Sequence, residues 1–370
     1  MLITANNIVY YLLEKGLITF ESAVDGDLKV LEASRRNRNF KVMRKHHQGY
    51  FVKQVQQWEP QAIATLQCEA MCYWLSQSDP AFKPLALLVP RLFAYDAGRN
   101  ILIVELLAGG ETISEYQRRL DAFPLNLASK LGQLLGTYHR EVGTKLQHSP
   151  HQASFQKRMP WILTVHQQNP YLHNSMSAAN SQLLSVVSKY PEFHQALGAL
   201  QEQWRVDSLI HGDMKWDNCI VYRLSDASEE ISLKIVDWEL ADLGDACWDV
   251  GAIFQAYLSC WILSMHMLAD ASPVQMMETA QYPLEKMQPA IQAFWKSYIT
   301  TIEMDEQTDH ALIQERLERS MKYGAARMLQ TAYEYMAYSP QLTANILYLL
   351  QVSLNILQSP QEAISELLGM

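Results

Sequence analysis

The sequence predicts an α+β chain in two lobes, a small one built on an antiparallel sheet and a larger one that is mostly helical. Three observations carry this expectation. The chain has 370 residues, long for one core and suited to two. Short apolar strand candidates crowd into the first hundred residues. From about Ala108 onward the apolar residues recur mainly at helical spacing. The division is placed at residues 1–107 and 108–370.

Composition excludes some classes. The chain is 49% hydrophobic and 19% charged, as a globular enzyme is, and its formal charge of -9 argues against a general nucleic-acid binder. Five cysteines, an odd number, with no signal peptide to be seen, point to a reducing cytoplasm. Cys68 and Cys72 lie one helical turn apart, but no further Cys or His follows at ligand spacing, so they read as core packing.

The elements follow in chain order. Thr4 caps a helix through Ile8-Val9 and Leu12-Leu13 that stops at Gly16. Three strands are expected at Leu28–Ala33, Phe40–Arg44 and Gly49–Val55. The turn between the first two, Ser34-Arg35-Arg36-Asn37-Arg38-Asn39, holds three arginines and no glycine, so close backbone approach to a ligand is not built in. These arginines grip phosphate, meet an acidic acceptor or simply form a solvated turn. The third strand carries Lys53 among apolar residues, where an ammonium needs a partner. The next helix opens near Pro60 and puts Leu66, Glu69 and Tyr73 on one face. Glu69 on that apolar stripe is the expected partner of Lys53, with Glu59 as competitor. An apolar strand then ends Val104-Glu105, and Leu106-Leu107-Ala108-Gly109-Gly110-Glu111 leads out of it.

In the second lobe, Leu127-Ala128, Leu131, Leu134-Leu135 and Tyr138-His139 have helical period, and His139 at the end of that face reads as a hydrogen-bonded core histidine. The most informative stretch follows: Ile210-His211-Gly212-Asp213-Met214-Lys215-Trp216-Asp217-Asn218, then Leu233-Lys234-Ile235-Val236-Asp237-Trp238-Glu239. A carboxylate, an amide five residues on, and a second carboxylate at the end of an apolar strand supply a proton acceptor and two oxygen ligands for a hard cation. Val250 to Ala269 carries no Asp, Glu, Lys or Arg and is long enough to span a bilayer; with Gln255, Ser259, Ser264 and His266 inside it and no basic cluster beside it, it reads as a core helix and not as a membrane span. Pro283, Pro289, Pro340 and Pro360 punctuate a helical remainder.

The His-Gly-Asp-x-x-x-x-Asn and Asp-Trp-Glu pair resembles the aminoglycoside phosphotransferase and choline kinase family, which has a protein-kinase-like fold. The resemblance implies ATP and Mg2+ as cofactors, Asp213 as catalytic base, and Asn218 and Asp237 as magnesium ligands. It implies that Lys53 and Glu69 align the ATP phosphates, that Ser34 and loop amides bind them, and that the carbonyl of Glu105 and amide of Leu107 meet adenine, with Glu111 reaching the ribose. Asp245 and Asp249 match its Gly-Asp and aromatic-Asp pattern and brace the catalytic loop. Many small-molecule kinases of the family have His or Arg where this chain has Lys215, the residue serine/threonine protein kinases use; such a lysine neutralises charge on the phosphoryl group, or is an exposed loop lysine.

The acceptor is a hydroxyl group, and two classes stay open. The segment Val24–Phe40 resembles phosphotransferases that act on Ser or Thr of ribosomal precursor peptides, alongside a partner lyase. The other class is a small alcohol: the acidic run Glu303-Met304-Asp305-Glu306 with Asp309 could draw an amine, and Trp261, Trp295, Tyr298, Tyr333, Tyr335 and Tyr338 could cage a quaternary ammonium, although a solvated turn and core packing are commoner uses. A catalytically silent kinase-like binding module is the contrasting class; intact Lys53, Asp213, Asn218 and Asp237 argue against it.

Overall fold

Strand and helix fall where the apolar pattern changes period. The computed structural model describes every residue except 35, 168–175, 224–229 and 267–271. It divides into two compact units. The first comprises residues 1–116, 150–155 and 217–241, and the second the remainder. The first unit thus runs past residue 107 and takes in two later segments.

The first unit opens with helix α1 (Ile8–Glu14). Its N-cap is Asn7 and not Thr4, whose carbonyl accepts from Ile8 while its amide donates to the Asn7 side chain. Gly16, at φ +65°, ends the turn that follows, where only glycine is unstrained. Five antiparallel strands then build a sheet in the order β1-β2-β3-β5-β4: β1 (Leu28–Glu32), β2 (Arg38–Arg44), β3 (Tyr50–Gln54), β4 (Leu92–Asp96) and β5 (Ile101–Glu105). Phe40, Val42, Val52, Ile101 and Ile103 point to one face and bury against Ile8, Tyr11 and Leu12 of α1. The alternation of strand side chains therefore turns Lys53 to the opposite face. That face is covered by helix α2 (Pro60–Ser78), which starts at Pro60 as an N-terminal proline allows and buries Leu66, Glu69 and Tyr73 together. A three-stranded sheet completes the unit: Glu111–Thr112 pairs with Cys219–Arg223, which forms a hairpin with Ile231–Ile235.

The second unit is helical apart from the paired short strands Ser208–Ile210 and Asp242–Gly244. Its core packs α3 (Leu125–Glu141), α4 (Ala246–Leu263), α5 (Leu284–Thr301) and α6 (His310–Tyr335). Helix α4 is long and apolar enough to cross a membrane, yet 83% of it is buried inside the protein, as a core helix is. Glycines set the closest crossings. A Cβ on Gly251 of α4 would lie 2.5 Å from the Ser320 carbonyl oxygen and 2.7 Å from the Gly324 nitrogen of α6, so the two backbones touch directly.

Cys72, Cys219 and Cys247 are buried. His139 is buried with its Nδ1 3.1 Å from the Tyr298 hydroxyl.

Candidate functional site

In the first unit the candidate residues converge on one ammonium. The Lys53 Nζ donates to Glu69 Oε2 at 2.7 Å, Asp237 Oδ1 at 2.5 Å and Glu239 Oε2 at 3.0 Å. The Glu69 carboxylate is completed by the Tyr73 hydroxyl at 2.9 Å, so a residue one turn along α2 fixes its orientation. Glu59 does not compete, and serves as the N-cap position of α2. Burial works against the charge of Lys53, but the three carboxylates outweigh it and hold its pKa well above the ordinary lysine range. Burial, reinforced by Asp237, pushes the Glu69 carboxyl up despite Lys53. Three carboxylates thus surround one ammonium, and the other oxygen of Glu239 also meets Arg36.

Asp237 follows the strand Ile231–Ile235 and takes left-handed backbone angles, φ +66° and ψ +48°. Few residues but Gly, Asn and Asp accept that conformation, and such strain collects at functional positions. It is held by the fully buried Trp238, whose indole donates to the Ile235 carbonyl at 2.9 Å. The hairpin register brings Asn218 alongside: its carbonyl accepts from Val236 at 2.9 Å, directly before Asp237. Carboxylate oxygens of Glu69, Asp237 and Glu239 lie within 4.8 Å of one another, the one such acidic or His/Cys group among the described residues. Clustered carboxylate oxygens are the donor type that a hard divalent cation takes.

The remaining nucleotide candidates sit at the ends of the same strands. The Ser34 hydroxyl donates to Glu32 at 2.9 Å and accepts from the Asn39 amide at 3.3 Å, closing the β1–β2 turn on itself. Glu105 ends β5; its carboxylate accepts from the Arg91 amide and, at 3.3 Å, from Lys234. The chain leaves β5 through the Leu106 amide, bonded to Gly49, and the Leu107 carbonyl, bonded to Gly110, before Glu111 pairs with Val221. The arginine turn does not act as one group. Arg36 reaches Glu239 Oε1 at 3.2 Å, Arg38 donates to the Ile3 carbonyl at 3.3 Å, and Arg35 lies outside the described residues.

In the second unit the loop after Ser208–Ile210 is anchored through its backbone. The buried Asp249 carboxylate accepts from the amides of His211 at 2.6 Å and Gly212 at 3.2 Å, and from the Tyr138 hydroxyl at 2.5 Å. Burial raises the pKa of this carboxyl, but His139, 3.6 Å away, with the charge of His211 and the Tyr138 hydroxyl, holds it below the ordinary range. Asp245 caps α4, accepting from the Cys247 amide, and lies 3.2 Å from Arg319. Asp213 is thus set on a fixed loop. Its Oδ2 accepts from Lys215 at 2.6 Å, and its Oδ1 lies 3.6 Å from Arg327 of α6.

Glu239 and Arg327 are not among the residues the sequence singles out for the site, and Tyr73 is singled out only for sharing a helix face with Glu69. Glu239 stands within the Asp-Trp-Glu segment and its alternation with Asp237 was a usable signal; Arg327 offered none. The acceptor candidates disperse. Trp261, Trp295 and Tyr298 are core residues, whereas Tyr335 and Tyr338 are exposed. In the acidic run, Asp305 accepts from the amides of Gln307 and Thr308, and Glu303 bonds Arg140, which is the pattern of a surface turn.

A family model described as the phosphotransferase enzyme family matches residues 27–274. No curated protein matches the chain. Among solved structures, the choline kinase from Cryptosporidium parvum Iowa II shares the fold, with a TM-score of 0.55 and 12% identity over 98% of this chain and 97% of that one. The choline kinase LicA from Streptococcus pneumoniae gives a TM-score of 0.46 and 15% identity, covering 94% of this chain and 99% of its own. The streptomycin-ATP-APH(2")-IIa ternary complex gives 0.49 and 12%, covering 94% and 97%.

Proposed function

The chain belongs to the phosphotransferase enzyme family, and on that premise we propose that it is an ATP-dependent kinase that moves the γ-phosphate of ATP to an acceptor hydroxyl, with Asp213 accepting the hydroxyl proton. The observation that carries this is the Lys53 cluster: a strand lysine held by a helix glutamate beside the Asp237 carboxylate. Residues 1–107 form the nucleotide-binding lobe and residues 108–370 the catalytic and acceptor lobe.

Each role has a physical basis. Lys53 brings a fixed positive charge to the polyphosphate, and Glu69 keeps it from turning away. Ser34 and the turn amides receive phosphate oxygens; the backbone of Glu105 and Leu107 receives adenine, and Glu111 the ribose. Asp237 and Asn218 would hold Mg2+, and a Glu239 carboxylate oxygen clusters with that of Asp237. When bound, magnesium would neutralise charge on the phosphates. Asp213 orients the acceptor hydroxyl and takes its proton, while Lys215, on the other side of that carboxylate, stabilises the transferred phosphoryl group.

Two acceptor classes rest on two observations. Lys215 on Asp213 supports Ser or Thr of a peptide, delivered to a partner lyase. Arg36 and Arg38 make different contacts, on Glu239 and the Ile3 carbonyl, and the fold shared with a choline kinase supports a small alcohol. The test is transfer from γ-labelled ATP to Ser- and Thr-containing peptides, choline-like amines and aminoglycosides. Label in one class alone assigns the acceptor; magnesium-dependent ATP turnover absent in every case overturns the kinase reading in favour of a silent binding module.

A further inference from the structure

Arg327 is a buried cation, 4% exposed, in the middle of α6. A guanidinium taken out of water needs acceptors and a counter-charge. Its acceptors are two backbone carbonyls, Gly212 at 3.2 Å and Met214 at 3.0 Å, on either side of Asp213. Among the described residues its only carboxylate within 4 Å is Asp213 itself, at 3.6 Å. The guanidinium lies 5.2 Å from the ring centre of Trp248, whose indole nitrogen also donates to the Gly212 carbonyl, at 3.1 Å.

The two anchors of the loop are complementary. Asp249 takes the N–H groups of His211 and Gly212; Arg327 takes the C=O groups of Gly212 and Met214. Gly212 sits between them at φ +78°, a conformation that other residues adopt at a cost. Lys215 occupies Asp213 Oδ2, and Arg327 faces Oδ1, so the carboxylate has a fixed plane. Only the planar fork of arginine can span two carbonyls and face a carboxylate at once; a lysine ammonium offers a point charge.

We propose that Arg327 is the positioning residue of the phosphotransfer reaction, clamping the peptide groups on both sides of Asp213 and setting the plane of its carboxylate. This rests on the reading of Asp213 as the base, and the test separates the two. Magnesium-ATP turnover with water as acceptor is measured for the full-length protein and its Arg327→Lys and Arg327→Met variants, together with amide hydrogen exchange over residues 211–215. Displacing a catalytic group by about an ångström costs about a hundredfold in rate. Arg327→Met should therefore lower kcat about a hundredfold with little change in KM for ATP, and Arg327→Lys should recover part of the loss. Exchange should speed up at the loop amides and stay unchanged in α4 and α5. If Arg327→Met does not fold, Arg327→Lys alone decides, with an expected drop of about tenfold in kcat and faster loop exchange. A kcat within twofold of the unmodified protein, with loop amides equally protected, overturns the proposal. If the unmodified protein shows no turnover with water, loop exchange alone supports or overturns the clamp, and the kinase reading is decided separately by the acceptor screen.

Discussion

Lys53 and Glu69 are each costly alone. With side chains about 5% exposed, Glu69 without Lys53 would be a buried carboxylate lacking its cation, whereas Lys53 without Glu69 keeps Asp237 and Glu239. Breaking such a pair costs about 3 to 5 kcal/mol. Lys53→Ala should destabilise the fold by an amount in that range and Glu69→Ala by less, and the double variant should lose much less than their sum. Chemical denaturation of the four proteins checks this, and strictly additive losses would contradict the pairing. The pair was legible because an ammonium in an apolar strand and a carboxylate on an apolar helix stripe both demand a partner. The contacts of Glu239 and Arg327 were not, because they depend on tertiary neighbours; Arg327 is 113 residues from Met214 in the chain.

Asp249 gives a pH signature at the same scale. Its folded pKa lies below the unfolded value of about 3.9. The stability it contributes is therefore fully present above that value and is lost as pH falls through the folded one. Asp249→Asn should lower the thermal midpoint most at neutral pH, and the gap from the unmodified protein should narrow below about pH 4. An equal gap at pH 7 and pH 3 would show that the carboxylate charge plays no part in bracing the loop.

Among elements, the crossing of α4 and α6 decides where Arg327 stands. Trp248 and Arg327 lie three residues from Gly251 and Gly324, at which the two helices touch. Replacing Gly251 by Ala would favour the helix by roughly 0.5 to 1 kcal/mol. The added methyl would meet backbone atoms that cannot turn aside, and such overpacking costs about 1 to 3 kcal/mol. The clash wins. Gly251→Ala should lower the thermal midpoint by a few degrees and reduce kcat as α6 shifts under the loop; an unchanged midpoint would mean that the helices separate freely. The sequence showed these helices by their period but not their contact, since a glycine in an apolar helix does not name the partner that needs its missing side chain. The β1–β2–β3 strands were legible within a residue or two, because alternation and turn residues are local. The N-cap moved from Thr4 to Asn7 because a side chain-to-backbone bond at Thr4 was available to the turn instead.

For the whole molecule, the phosphotransferase family was legible and the acceptor was not. Spaced chemistry in two motifs is a sequence property, and residues 27–274 carry the family match. Aromatic and acidic residues take their meaning from where the fold puts them, and here it sends Trp295 and Tyr298 to the core and Asp305 to a self-capped turn. The central claim is that Asp213 performs the transfer while Lys53 and Asp237 serve the nucleotide. One measurement tests it most directly: turnover of γ-labelled ATP by the unmodified protein and by Asp213→Asn, with the rise in thermal midpoint on adding magnesium-ATP recorded for both. Ligand at a hundred times its Kd stabilises a protein by about 2.7 kcal/mol. The account predicts that both proteins gain a similar rise and that only Asp213→Asn loses turnover, by a factor of about a hundred or more. Near-normal turnover by Asp213→Asn, with its magnesium-ATP stabilisation intact, would contradict it.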